Sequence, residues 1–98
     1  MADLVSPKDA RRALAALEGW VLSDDGTAIT RRWQVKSFAA AMRLANVVAW
    51  QAEARNHHPD LRLGWGYCEV TFTTHDAGGL TRADLDAAAA LEALVAAG

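Results

Sequence analysis

Three histidines carry the most reactive side chains of this sequence. His57 and His58 are adjacent, and His75 follows in the same short stretch. An imidazole gains or loses its proton near neutral pH, so it can serve as a general acid or a general base. Elimination of water needs both acts, because one proton must leave the substrate and another must reach the departing hydroxyl. If the fold brings the three side chains together, they could perform such an elimination without a metal ion.

Each of these features also has an ordinary structural interpretation. A single loop histidine is most often a surface residue, but an adjacent pair with a third favours a function. Asp84 stands three residues after Thr81, where it can cap a helix, and its carboxylate could orient a histidine as well. Three histidines could hold zinc, yet adjacent histidines seldom point to one spot. Only Glu53 and His57 have helical ligand spacing, so we expect no metal site.

Composition and charge narrow the class of protein. The chain has 98 residues, which fits one domain spanning residues 1–98. Its formal net charge is −2 with both signs mixed, whereas nucleic-acid binding needs a concentrated basic surface. No apolar run approaches the roughly 18 residues of a membrane span, and no signal peptide is visible. We expect a cytoplasmic protein that binds neither nucleic acid nor membrane.

Three helices are predicted, each from a capping residue. The first begins at Ser6 and stops at Gly19; the second begins at Ser37 and runs to about Asn56. The third begins at Thr81 and continues to the end of the chain. Apolar residues cover more than one face of the second helix, which predicts that it is buried on two sides, including against another subunit.

Four strands are predicted between the helices. Residues 20–23 and 28–35 alternate around a turn at Asp24-Asp25-Gly26, and residues 61–65 and 67–74 form a second hairpin. The element order is therefore α-β-β-α-β-β-α, and helices packed on one face of an antiparallel sheet give an α+β fold. The histidines stand at element ends, where they could meet at one end of the sheet.

The spacing of these residues resembles the signature of the pterin-4a-carbinolamine dehydratase family. That signature is a charged residue, His-His-Pro, an aromatic residue, His and Asp at set intervals. Here it is met by Glu53, His57-His58-Pro59, Trp65, His75 and Asp84. Residues 74–81 and the segments around Trp20 and Trp33 also resemble the family. The likeness covers about residues 14–90, nearly the whole domain.

The resemblance implies a fold, a reaction and an assembly. The fold would be a four-stranded antiparallel sheet with three helices on one face. The enzyme would be a hydro-lyase that converts 4a-hydroxytetrahydropterin to quinonoid dihydropterin during recycling of the pterin cofactor. It would use no metal and no organic cofactor. Family members form homodimers or homotetramers, so the same is expected of this chain.

The resemblance also assigns residues to the site. His57, His58, His75 and Asp84 would be catalytic, with the acid and the base left unassigned. The substrate-binding residues would be His57, His58, Pro59, Trp65, Thr74, His75, Asp76 and Ala77. Two departures, Ala83 and Leu61, stand where relatives commonly have a large polar and an aromatic residue. They bear on substrate affinity and on which pterin is used more than on the reaction.

A protein-binding role is the alternative hypothesis. Relatives with this fold act as a dimerisation cofactor for a transcription factor or as assembly chaperones for the carbon-fixing carboxylase. The chaperone-type relatives tend to have an altered histidine set, whereas His57, His58 and His75 are all present here. The sequence therefore favours the enzyme over a non-catalytic module, while a second, protein-binding role beside catalysis stays open.

Overall fold

The chain alternates pairs of strands with single helices. A computed structural model describes residues 3–97; the ends of the predicted domain, residues 1–2 and 98, lie outside the described residues. The elements are α1 (Pro7–Leu14), β1 (Trp20–Leu22), β2 (Ile29–Gln34), α2 (Phe38–Arg55), β3 (Asp60–Gly64), β4 (Tyr67–Phe72), a 3-10 turn (His75–Ala77) and α3 (Arg82–Ala97). The predicted α-β-β-α-β-β-α order and α+β class are confirmed. Within residues 3–97, no helix is long and apolar enough to cross a membrane.

The four strands form one antiparallel sheet in the order β1-β2-β4-β3. Alternate side chains point to one face, which the helices cover: α1 packs on β1, α2 packs on β3 and β4, and α3 packs on α1 and α2. The buried side chains of this face are Trp20, Ile29, Trp33, Cys68, Val70 and Phe72. The opposite face is polar, with Thr30 and Thr71 hydrogen-bonded across β2 and β4 at 3.0 Å. The predicted arrangement of three helices on one face is therefore confirmed.

Helix α1 and strand β4 end at least two residues earlier than the sequence predicted. Helix α1 stops at Leu14 rather than near Gly19, because the chain continues in tight turns in which Leu17 N–H donates to Leu14 O. These turns let both leucines pack on the core. Strand β4 stops at Phe72, and Thr74 then pairs with Gly79 in an isolated bridge. The bridge closes a small loop around the 3-10 turn.

The carboxylate of one residue in α3 joins this helix to the β1–β2 hairpin through hydrogen bonds. Glu92 Oε1 accepts hydrogen bonds from Trp20 Nε1 at 2.8 Å and from Arg31 Nε at 2.7 Å. Arg31 lies on the helix-covered face of β2, and its guanidinium carbon is 4.7 Å from the centre of the Trp33 ring. A cation on that face needs a partner, because a partly buried charge left unpaired destabilises the fold. Glu92 supplies that partner.

The end of α2 sets the direction of the segment that contains the histidines. Asn56 adopts the left-handed conformation, with φ 51° and ψ 42°. Asn56 N–H donates to Glu53 O at 3.3 Å, and His57 N–H donates to Ala52 O at 3.1 Å. These two bonds form the Schellman arrangement, which satisfies the last helix carbonyls and turns the chain sharply. The helix thus ends at Arg55, one residue before the predicted limit, and His57 lies outside it.

Replacing Glu92 tests the tie between α3 and the hairpin. We expect Glu92→Ala to lower the free energy of unfolding by about 1–3 kcal/mol, because the buried Trp20 indole N–H and Arg31 lose their acceptor. Asp86→Ala on the same helix is the control, since its pair with Arg82 is exposed and 3.4 Å long. That variant should change stability by less than about 0.5 kcal/mol. Urea unfolding measures both, and equal losses would contradict the assigned role.

A pair of variants at Asn56 tests the left-handed cap. Asn56→Gly should leave the free energy of unfolding nearly unchanged, because glycine adopts positive φ without steric cost. Asn56→Ala should lower it by about 1–2 kcal/mol, since a Cβ disfavours this conformation. Chemical denaturation of the two variants gives the comparison. Equal stability of the glycine and alanine proteins would show that α2 does not end in this way.

Candidate active site

A shallow cavity of about 240 Å³ opens between the end of α2 and the loop after β4. It is lined by Asn56, His57, His58, Thr73, Thr74, His75 and Asp76. The three histidines therefore meet at one end of the sheet, although they come from two separate segments. A larger cavity of about 460 Å³, beside α1, contains none of them. Asn56 and Thr73 were missed by the sequence analysis; the position of Asn56 directly after a predicted helix and before His57 was the available signal.

Two contacts fix the His57 ring, a hydrogen bond at its edge and an aromatic ring against its face. Its Nε2 lies 2.6 Å from Asp84 Oδ1, and its ring stacks on Phe72 with 5.7 Å between centres and 8° between planes. The side chain is 17% exposed, so one part of it still reaches the cavity. An ionised carboxylate only accepts hydrogen bonds, so this geometry assigns a proton to Nε2. In the neutral ring, Nδ1 is then left as an acceptor.

Asp84 is fully buried and accepts hydrogen bonds from three donors. Besides His57, these are the Thr81 backbone N–H at 2.9 Å and the Thr74 hydroxyl at 2.7 Å. The Thr81 hydroxyl lies 2.8 Å from the Thr74 hydroxyl and donates to it, because the Thr74 proton is already given to Asp84. A buried carboxylate needs such donors on both oxygens. Asp84 therefore caps the start of α3 and orients a histidine at the same time.

Glu53 pairs with His58 and not with His57. Glu53 Oε2 lies 2.5 Å from His58 Nε2, and the two side chains are 77% and 55% exposed. The four-residue spacing of Glu53 and His57 would place both on one helix face only if α2 continued. Because α2 ends at Arg55 and the left-handed Asn56 turns the chain, His57 is directed to Asp84 instead. An exposed pair such as Glu53 and His58 stabilises the fold little.

His75 reaches the cavity from the loop after β4. It begins the 3-10 turn and is exposed, and Gly78, with φ 77°, ends that turn. Thr74 and Asp76 on either side of His75 also line the cavity, whereas Ala77 does not. The bridge between Thr74 and Gly79 holds the loop closed. The loop thus presents one imidazole and one carboxylate beside His57 and His58.

Trp65 lies away from the histidines. It occupies the turn between β3 and β4 and is 73% exposed. Asp60 pairs with Thr71 at the histidine end of this hairpin, so Trp65 stands at the opposite end, about 16 Å along β3. Pro59, which joins His58 to β3, is not among the cavity-lining residues either. Trp65, Pro59 and Ala77, which the sequence analysis expected to bind substrate, are therefore not among the residues that line this cavity.

The carboxylates near the histidines are distributed rather than clustered. His57 contacts Asp84, and His58 contacts Glu53, on the two sides of the α2 terminus. Within residues 3–97, no three His, Cys, Asp or Glu side chains are grouped so that they could hold a metal ion. The cavity is therefore lined by three imidazoles, and carboxylates orient two of them, His57 and His58.

Comparisons with known sequences place this architecture in a family. Residues 3–94 match the family model described as pterin 4 alpha carbinolamine dehydratase. A protein of Paracoccus denitrificans is 50% identical over 92 residues, which cover 94% of this chain and 86% of that protein. A protein of Nostoc sp. is 38% identical over 91 residues, covering 93% and 96% respectively. Both carry the provisional name pterin-4-alpha-carbinolamine dehydratase.

Solved structures give the same result for the fold. The crystal structure of a transcriptional coactivator/pterin dehydratase from Brucella melitensis matches with a TM-score of 0.85 and 32% identity, covering 93% of this chain and 97% of that one. A pterin dehydratase-like RuBisCO assembly factor of the alpha-carboxysome matches with a TM-score of 0.65 over 79% of this chain and 89% of that one. At 22% identity this second likeness concerns the fold alone. Since the family model and the Paracoccus relative each cover nearly all of the sequence, the chain belongs to the pterin 4 alpha carbinolamine dehydratase family of hydro-lyases.

Proposed function

We propose that this chain acts in the cytoplasm as a dehydratase that converts 4a-hydroxytetrahydropterin to quinonoid dihydropterin by histidine acid–base catalysis. The observation that carries the proposal is His57, oriented by Asp84 and stacked on Phe72, in one cavity with His58 and His75. Family membership supports the same substrate class and the same reaction.

The chemistry of a carbinolamine explains why imidazoles suit this reaction. A carbinolamine has a hydroxyl and a nitrogen on one carbon. Loss of water breaks the C–O bond, removes the proton from that nitrogen and forms a C=N bond. One group must accept the nitrogen's proton, and another must protonate the departing hydroxyl so that it leaves as water. Groups that titrate near neutral pH perform both transfers best.

The hydrogen bond to Asp84 allows His57 either to accept the proton from the substrate nitrogen or to protonate the departing hydroxyl. When His57 is neutral, its Nε2–H group is hydrogen-bonded to Asp84 and its Nδ1 atom is free to act as a base. When His57 is protonated, the Asp84 carboxylate stabilises the positive charge, and the ring can act as an acid. His58 and His75 are exposed, so they can exchange protons with water between turnovers. We propose that His57 performs one transfer and that its cavity neighbours supply the other.

Two polar side chains are available to recognise the pterin ring. The Thr73 and Thr74 hydroxyls already donate to Thr27 O and to Asp84. Within residues 3–97, the Asn56 amide and the Asp76 carboxylate make no side-chain hydrogen bond, although both line the cavity. A pterin presents ring and amino N–H groups, which a carboxylate accepts well. We propose that Asp76 and Asn56 bind this edge of the substrate.

Single histidine variants test the proposed chemistry. The decay of freshly generated 4a-hydroxytetrahydropterin, followed by absorbance, should be much faster with the wild-type protein than in buffer. His57→Ala should lower kcat by about 10²–10⁴-fold, the range expected when a general acid or base is lost. His58→Ala and His75→Ala should lower it as well, if they supply the second transfer between them.

Asp86→Asn is the matched control for the histidine variants. Asp86 is an exposed residue of α3 outside the cavity, so this variant should retain wild-type activity. Circular dichroism confirms that each variant is folded. If folded wild-type protein does not exceed the buffer rate, the dehydratase proposal fails, and the protein-binding hypothesis takes its place.

We also propose that the chain forms homodimers or homotetramers through exposed apolar residues of α2 and α3. Met42, Val47 and Leu94 are each about 40% exposed, and Trp50 is 67% exposed. Val47, Trp50 and Leu94 line one shallow cavity, and exposed apolar surface of this kind usually marks an interaction site. A small domain whose core contains many alanines gains stability by covering such a surface with a second copy. We call Val47, Trp50 and Leu94 the helix patch.

A charge placed in the helix patch tests self-association. Trp50→Glu should shift the protein to a smaller species, because a carboxylate cannot be buried without a partner. Size-exclusion chromatography with light scattering measures the mass directly. Val21→Glu is the control, since Val21 is 65% exposed but lies on β1, outside the helix patch. A wild-type protein that is monomeric at high concentration would rule the proposal out.

A further inference from the structure

We propose that Gln51 is a positioning residue that fixes the distance between His57 and Asp84. Its side chain is buried, with 3% exposure, and its Nε2 donates to the backbone oxygen of Ala87 at 2.9 Å. Gln51 belongs to α2 and Ala87 to α3. Among the described residues, this is the side-chain hydrogen bond that joins the two helices directly. The inference rests on the proposed function, but its structural part can be tested without activity.

The hydrogen bond between Gln51 and Ala87 joins the helical turns that lie next to His57 and Asp84. Gln51 stands one turn before Arg55, the last residue of α2, after which Asn56 turns the chain toward His57. Ala87 stands one turn after Asp84 in α3. A slide of one helix along the other would therefore lengthen the 2.6 Å contact between His57 and Asp84. The hydrogen bond of Gln51 opposes that slide close to the pair.

Small side chains are frequent among the buried residues of α2 and α3. These residues include five alanines beside Val48, Leu85 and Leu91, and two of the alanines, Ala41 and Ala45, pack with Cys68 toward the sheet. Helices lock in register when large side chains of one fill the grooves of the other, and alanine forms only low ridges. The other three alanines, Ala52, Ala87 and Ala88, therefore add little to the register of α2 and α3 beyond what Val48, Leu85 and Leu91 supply. The hydrogen bond of Gln51 adds a directional constraint.

The unpaired side-chain oxygen of Gln51 indicates that this residue does more than stabilise the fold. Gln51 Oε1 is buried and has no hydrogen-bond partner. An unpaired buried acceptor destabilises a fold, whereas an apolar side chain of the same length would avoid that cost. The net contribution of this glutamine to stability is therefore small, and its distinct contribution is the fixed position of the Ala87 carbonyl.

The test replaces Gln51 with an apolar side chain of similar size. Gln51→Met should unfold at the same or a higher temperature than wild type, because the orphan acceptor is gone. The nitrogen-bound proton of His57 Nε2, observed by NMR, should shift upfield and exchange faster as its bond to Asp84 loosens. In the dehydratase assay kcat should fall about tenfold with KM nearly unchanged, since small misplacements of a reacting group are costly. Gln51→Leu should act in the same direction.

Val48→Ala is the matched control. Val48 is fully buried on the same helix one turn earlier, so its truncation loosens the core without removing a hydrogen bond. It should lower the unfolding temperature and leave the His57 signal in place. An unchanged His57 signal in Gln51→Met, or an equal change in Val48→Ala, overturns the proposal. If wild-type protein proves inactive, the proposed function fails, while the NMR comparison still decides the role of Gln51.

Discussion

The buried carboxylate of Asp84 is the constraint on which the site depends. A charge with no exposure to water must be surrounded by donors, and here each donor comes from a different part of the chain. Thr74 follows β4, Thr81 begins α3, and His57 follows α2. Satisfying one carboxylate therefore brings the three segments to one point. The cavity forms beside that point, because the residues next to Thr74 and His57 line it.

The site is in direct contact with the hydrophobic core through a row of aromatic rings. The His57 ring stacks on Phe72 at 5.7 Å, Phe72 stacks on Trp20 at 5.9 Å, and Trp20 meets Trp33 edge-on at 6.1 Å. Trp20, the third ring of this row, donates its indole N–H to Glu92. The aromatic row therefore supports the face of the His57 ring, while Asp84 holds its edge.

Helix starts and the two hairpins were predictable because local chemistry decides them. Ser6 and Ser37 accept hydrogen bonds from the first turns of α1 and α2, as their types and positions indicated. The ends of elements were predicted less well. Helix α1 and strand β4 both stop early, where the chain leaves regular structure to pack Leu17 or to form the Thr74–Gly79 bridge. Such endings depend on partners distant in sequence, which local patterns do not contain.

The sequence by itself identified the family and the candidate site residues, and the tertiary structure decided how those residues are arranged. Three histidines, their aspartate and the family were recognisable from residue types and intervals, because these persist along the chain. Only the fold showed that Asp84 binds His57 while Glu53 binds His58. Only the hairpin register showed that Trp65 lies far from both. The reason is that a left-handed residue at 56 and the length of β3 set directions in space, and spacing in sequence fixes neither.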